Sequence, residues 1–136
     1  MKMLVQITLA LSVVGTVLCR PNYRDGIPNG YSVPNPCGTS AVWDPVGHMN
    51  PFHHTHSKNP FGTAYSTFGR SWSTICKEDT DRDGKTNGEE LGDPNCVWTP
   101  GQTPAGKAIG HPGICEPVGS AVCSWQNFRC DCLEHC

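Results

Sequence analysis

The sequence predicts a small α+β domain, rich in disulfides and loops, and three observations carry that reading. Nine cysteines stand in 136 residues. Twelve prolines and 15 glycines punctuate the chain, and no long amphipathic period runs between them, so the core is small and cross-links must supplement burial. Seven of the 12 acidic side chains fall between Glu78 and Asp93, which makes the negative charge a local feature.

Taken in order, residues 1–19 (MKMLVQITLALSVVGTVLC) show one lysine, an apolar run and then small residues, the layout of a secretory signal peptide. A membrane anchor would need about 20 apolar residues and a stop-transfer flank, which RPNYRDG does not supply. Cys19 leaves with the signal. Eight cysteines remain, Cys37, Cys76, Cys96, Cys115, Cys123, Cys130, Cys132 and Cys136, an even number that predicts four disulfides in an oxidising compartment. Without Lys2, nine basic side chains face 12 acidic ones, a net charge of about −3 that recruits neither nucleic acid nor an anionic membrane.

Tyr23 to Cys37 holds three prolines and two glycines and reads as an extended, turning arm. In the next segment Pro45, Pro51 and Pro60 exclude a helix interior, while Val42 and Trp43 offer a short strand, so loops over a short sheet are expected. From Ala64 to Cys76 the chain is free of proline, and Tyr65, Phe68, Trp72, Ile75 and Cys76 recur at helical spacing despite Gly69. NGEELGDP allows one further helical turn, stopped by Gly92 and Pro94. We divide the chain into a signal peptide (1–19), a disulfide domain (20–115) and a cysteine-rich tail (116–136). Trp43, Trp72, Trp98 and Trp125 are read as core and disulfide-packing groups.

The stretch DTDRDGKTNGEE, Asp79 to Glu90, lies between Cys76 and Cys96. A calcium ion takes six to eight oxygens, and a 12-residue loop delivers them from positions one, three, five, seven, nine and twelve. Those positions hold Asp79, Asp81, Asp83, the Lys85 carbonyl, Asn87 and Glu90. Gly84 occupies position six, where the backbone turns sharply. The fold class is therefore completed as α+β with one EF-hand-like calcium loop between a helix and a short helical turn. Thr86 stands at position eight, where paired EF-hands place a branched apolar residue, and the chain has no partner loop. A Cys76–Cys96 disulfide would replace the missing support, contributing about 3 kcal/mol.

His48, His53, His54 and His56 cluster in a second segment that could take zinc or copper, although a proline-broken loop defines no geometry and a surface cluster is the better reading. The tail RCDCLEHC could hold zinc, but disulfides win in an oxidising compartment. No nucleophile with its base, no paired-carboxylate site and no phosphate loop has supporting context, so a non-enzymatic protein is expected. An extracellular matrix module and a copper- or zinc-dependent enzyme on the histidine loop are the alternatives.

The motifs RDGIPNGYSVPNPC, VWDPVGHMNP, NPFG, CKEDTDRDGKTNGEELGDPNCVW and GHPGIC occur here in the order of their counterparts in the temptins, secreted water-borne pheromone proteins of gastropod molluscs. The resemblance spans Arg20 to Cys115. It implies a secreted, extracellular attractant or the scaffold of a pheromone complex, with attractin-like proteins or a chemosensory receptor as partners. It also aligns Asp79, Asp81, Asp83, Asn87 and Glu90 with the family's acidic loop, and Cys76 and Cys96 with its short-range disulfide. Cys37 corresponds to a cysteine whose partner lies near the C-terminus, Cys115 or Cys123 here.

Overall fold

In the computed structural model, residues 22–54 and 57–131 are described. The signal peptide, Cys19, His56, Cys132 and Cys136 lie outside them, and so does any fourth disulfide they would form. Three short helices, α1 (Pro60–Thr67), α2 (Trp72–Ile75) and α3 (Asn87–Glu90), and two single 3-10 turns at Tyr23–Gly26 and Ala121–Cys123 are the regular elements. The expected sheet is reduced to isolated bridges among the described residues, including the antiparallel pairs Pro34 to Val42 and His48 to Lys58. Proline density explains the reduction, since each proline removes a ladder donor.

α1 begins where proline is best tolerated, at its first position, and Asn59 caps it by accepting from the Gly62 N–H at 2.9 Å. The same fully buried amide donates to the carbonyls of Val46 (2.7 Å) and His48 (3.0 Å), so one side chain starts a helix and pins the preceding loop to it. Gly62 has no room for a Cβ, because the Gly47 backbone lies against it. The helical spacing from Ala64 to Cys76 does not give one helix. Gly69 and Arg70 take positive φ (72° and 58°), Arg70 N–H closes on the Tyr65 carbonyl at 2.8 Å, and α2 starts afresh at Trp72. Most of the apolar positions still meet, because Phe61, Tyr65, Trp72 and Ile75 join Ile27, Val33, Val46, Leu91 and Trp98 in one core, whereas Phe68, expected on the same face, is exposed where the chain breaks after α1. Trp43, too, is buried, whereas Trp125 stays exposed, with the Arg82 guanidinium 4.8 Å from its ring centre.

Three disulfides tie the loops down. Cys76 is bonded to Cys96, as its position around the acidic loop led us to expect. Cys37 pairs with Cys130, not with Cys115 or Cys123, which bond each other. The reason is reach: the eight-residue separation of Cys115 and Cys123 closes a tight loop through the Ala121–Cys123 turn, and only a cysteine further along the tail returns to the N-terminal arm. The tail is anchored to the body as well by Gln126, which donates to the Gly113 carbonyl and accepts from Cys115 N–H.

Candidate metal centre

The acidic loop leaves α2, passes Cys76 and returns at α3. Its two ends are joined by backbone hydrogen bonds, Asn87 N–H to Glu78 carbonyl (2.7 Å) and Gly88 N–H to Cys76 carbonyl (2.8 Å). Gly88 permits that closure, because a Cβ there would meet Cys76 Sγ at 2.6 Å. Thr86 has a local purpose. Its hydroxyl accepts from Glu89 N–H and the Glu89 carboxylate accepts from Thr86 N–H, a capping box that starts α3. The position that a paired EF-hand gives to a small sheet is spent here on a helix start.

Within the loop, Asp79, Asp81 and Asp83 each present a carboxylate oxygen within 4.8 Å of the others. Backbone N–H groups hold the outer oxygens: Asp83 and Gly84 donate to Asp79, Asp83 also to Asp81, and Lys85 to Asp83. Arg82 (φ 59°) and Gly84 (φ 98°) supply the left-handed turns that wrap the chain around these carboxylates. The inner oxygens have no such partners. Asp81 Oδ2, Asp83 Oδ2 and both oxygens of Glu90 are buried without a hydrogen bond among the described residues.

Glu90 stands apart from the aspartate trio, yet its carboxyl feels Asp81 and Asp83 as repulsion, and burial is the larger effect, lifting its pKa to about 10. Burial likewise lifts Asp81 to about 8, with Asp83 adding to it. Asn87 is fully buried and committed: Nδ2 donates to the Ile75 carbonyl, and Oδ1 lies 2.8 Å from the Thr80 hydroxyl. Lys85 is exposed, with its ammonium 3.9 Å from Asp83 Oδ2.

Sequence reading missed the roof of this site. Residues 109–116 fold over it, with Ile109 N–H bonded to the Glu90 carbonyl at 2.7 Å. A Cβ on Gly110 would come within 2.9 Å of Glu90 Oε1 and 3.5 Å of Glu116 Oε1, so the glycine makes room for both carboxylates. Glu116 accepts from His111 N–H at 2.8 Å and is held above its ordinary pKa, first by burial and then by Asp83. His111 is sealed beside it, its Nδ1 accepting from Gly113 N–H and its ring edge-on to Trp43 at 4.8 Å. Burial drives its pKa down to about 3. No local spacing marks Gly110 or Glu116, since both reach the loop from at least 20 positions away.

The histidine loop makes no comparable grouping among the described residues. His48 and His54 meet edge to face at 5.2 Å, while His53 is exposed and linked through its backbone N–H to Asn50.

Three short helices on a disulfide frame, with residues 109–116 packed over the Glu90 end of an acidic loop, define a small cross-linked domain. Its family follows from sequence: the Temptin C-terminal family model matches residues 17–114, and the chain belongs to the temptin family. Temptin of Aplysia californica is 46% identical over 120 residues, covering 83% of this chain and 95% of that protein. No solved structure matches.

Proposed function

We propose that this chain is a secreted attractant, or the scaffold of a water-borne pheromone complex, that acts by binding other proteins and carries a structural calcium ion in the Asp79–Glu90 loop. Membership of the temptin family supports the first part. One observation carries the second: among the described residues, four carboxylate oxygens, on Asp81, Asp83 and Glu90, are buried without a hydrogen-bond donor, and the nearest cation is the Lys85 ammonium, 3.9 Å from Asp83 Oδ2. Orphaned buried carboxylates are costly, and a hard divalent cation is the partner that this oxygen set fits. Asp79, Asp81, Asp83 and Glu90 would hold the ion with the Lys85 carbonyl, while the Asn87 amide, expected from the sequence as a ligand, is bonded to Ile75 and Thr80 and would brace the loop from its buried position. The ion supplies charge neutralisation, and the protein supplies a loop already closed by its disulfide and backbone bonds.

Near-millimolar extracellular calcium is enough for such a site. At ten times Kd, calcium adds about 1.4 kcal/mol of stability, so purified protein should melt about 4 to 8 °C higher in calcium than in chelator. A melting curve indifferent to chelator would remove the calcium reading. The pheromone reading is tested separately, in a choice assay with the protein alone and with co-secreted proteins. Attraction in neither arm would remove it.

A further inference from the structure

Away from the acidic loop, a cavity of about 700 Å³ opens between the N-terminal arm, the Pro45–His48 loop and α1. That volume is in the range of small-molecule sites. Ile27, Val46 and Phe61, all buried, give it an apolar floor, and Gly47 and Gly62 pack backbone to backbone beside them. No aspartate or glutamate lines it, whereas Arg24, Lys58 and Arg70 do. Arg24 is already paired with Asp44. Lys58 and Arg70 have no carboxylate partner among the described residues: Lys58 donates to the Ser66 hydroxyl at 3.0 Å, and the Arg70 guanidinium lies 4.7 Å from the Tyr23 ring centre.

Tyr65 adds a directional group. Its ring is stacked on Phe61 and only 8% exposed, and its hydroxyl, fitted against Gly26, has no hydrogen-bond partner among the described residues. Burial holds its pKa above the ordinary value, so it is a donor at neutral pH.

We infer that this cavity binds a small amphipathic carboxylic acid, its apolar chain over Ile27, Val46 and Phe61 and its carboxylate toward the Tyr65 hydroxyl, Arg70 and Lys58. An apolar floor selects a hydrocarbon body, and two unneutralised cations with a phenol donor select one negative head over a neutral or positive one. The site is independent of the calcium loop.

Titration calorimetry of the whole secreted chain with octanoate and with 1-octanol tests the assignment. Octanoate should bind about tenfold more tightly than the alcohol, which corresponds to about 1.4 kcal/mol for the head group. Tyr65→Phe keeps the stacked ring and should weaken octanoate severalfold while leaving the alcohol unchanged. Lys58→Gln with Arg70→Gln should bring octanoate down to the alcohol. Equal binding of the two probes, binding of neither, or octanoate affinity unmoved by these variants would overturn the proposal. So would a stable dimer that octanoate does not dissociate, or capture of an acidic peptide in the absence of octanoate binding, since either would name a different occupant.

Discussion

Asp93 and Glu90 are three residues apart, both carboxylates and both buried to within 1% of full, yet their surroundings are opposite. Asp93 accepts from the Trp72 indole N–H at 2.8 Å and from the backbone N–H groups of Val97 (3.0 Å) and Trp98 (3.1 Å). The Glu90 carboxylate accepts from no donor among the described residues. A carboxylate ringed by N–H donors is a finished structural element, because the charge lost to solvent is replaced by dipoles fixed in the fold. A buried carboxyl without donors either keeps its proton, as the raised pKa of Glu90 describes, or takes a cation in its place. The difference separates the part of this molecule that holds its shape from the part that we read as binding an ion.

The largest expected effect comes from breaking the finished member of the pair. Asp93→Ala leaves three N–H donors without an acceptor at the junction of α2, the Cys76–Cys96 bridge and the Trp98 segment. Stability should fall by about 3 to 5 kcal/mol, a drop of more than about 10 °C in Tm for a domain of this size. Thermal unfolding in saturating calcium measures it. A loss under about 1 kcal/mol would mean that Asp93 is no better supported than Glu90, and the contrast would collapse.

Next in size is a buried base handled by the same logic. The folded state keeps His111 neutral, its pKa lowered to about 3 by burial, whereas the unfolded chain protonates it near 6.5. Below that pH the unfolded state binds more protons, so His111's contribution is present above about pH 6.5 and is lost as pH falls toward 3, at about 1.4 kcal/mol per unit. Between pH 6.5 and 5 the loss is about 2 kcal/mol. Glu116, held above its usual pKa, works in the other direction, so the quantity to compare is the difference between wild type and His111→Gln, which keeps an acceptor for Gly113 N–H. Parallel stability profiles for the two proteins across this window would refute the assignment.

The sequence showed one of these regions better than the other, for a physical reason. The acidic loop is contiguous, its residue types alternate with its backbone, and its capping box and Gly84 turn are local, so both the loop and its disulfide clamp were legible. Asp93 looked like one more acid in an acidic stretch, because its donors include a tryptophan 21 positions earlier. Glu116, His111 and Gly110 arrive over the loop through tertiary folding alone. The Cys37–Cys130 bond was equally hidden, since cysteine spacing does not encode connectivity. The break between α1 and α2 was half visible: Gly69 was apparent, but the positive φ of Arg70 was not, and it turns one expected helix into two.

A smaller effect sharpens the Glu90 side of the comparison. Glu90→Gln replaces a donorless buried acid with a neutral amide, which is cheaper to bury. In chelator the variant should therefore be more stable than wild type, by on the order of 1 to 2 kcal/mol. In calcium it should lose most of its stabilisation, because one oxygen of the closing ligand is gone. The order of the two Tm values should thus shift in favour of wild type as calcium is added. If Glu90→Gln is destabilising even in chelator, as Asp93→Ala is expected to be, Glu90 has a donor after all and the site is not an ion site.

The smallest effect belongs to Lys85. Its ammonium is half exposed and stands 3.9 Å from Asp83 Oδ2, so in the metal-free loop it offsets a little of the carboxylate repulsion, and with calcium bound it is a like charge near the ion. An exposed pair of this kind contributes from nothing to about 1 kcal/mol. Lys85→Gln keeps the backbone carbonyl at position seven and removes only the charge. The metal-free protein should lose a few tenths of a kcal/mol, and calcium affinity should be unchanged or slightly tighter, because the repulsion between cation and ammonium is gone. Calcium titration at low and high salt separates the two contributions, since screening should erase the difference between variant and wild type. A large loss of calcium affinity in Lys85→Gln would show that the ammonium, and not the carbonyl beneath it, organises the loop, and the site would then be an ion-paired acidic turn.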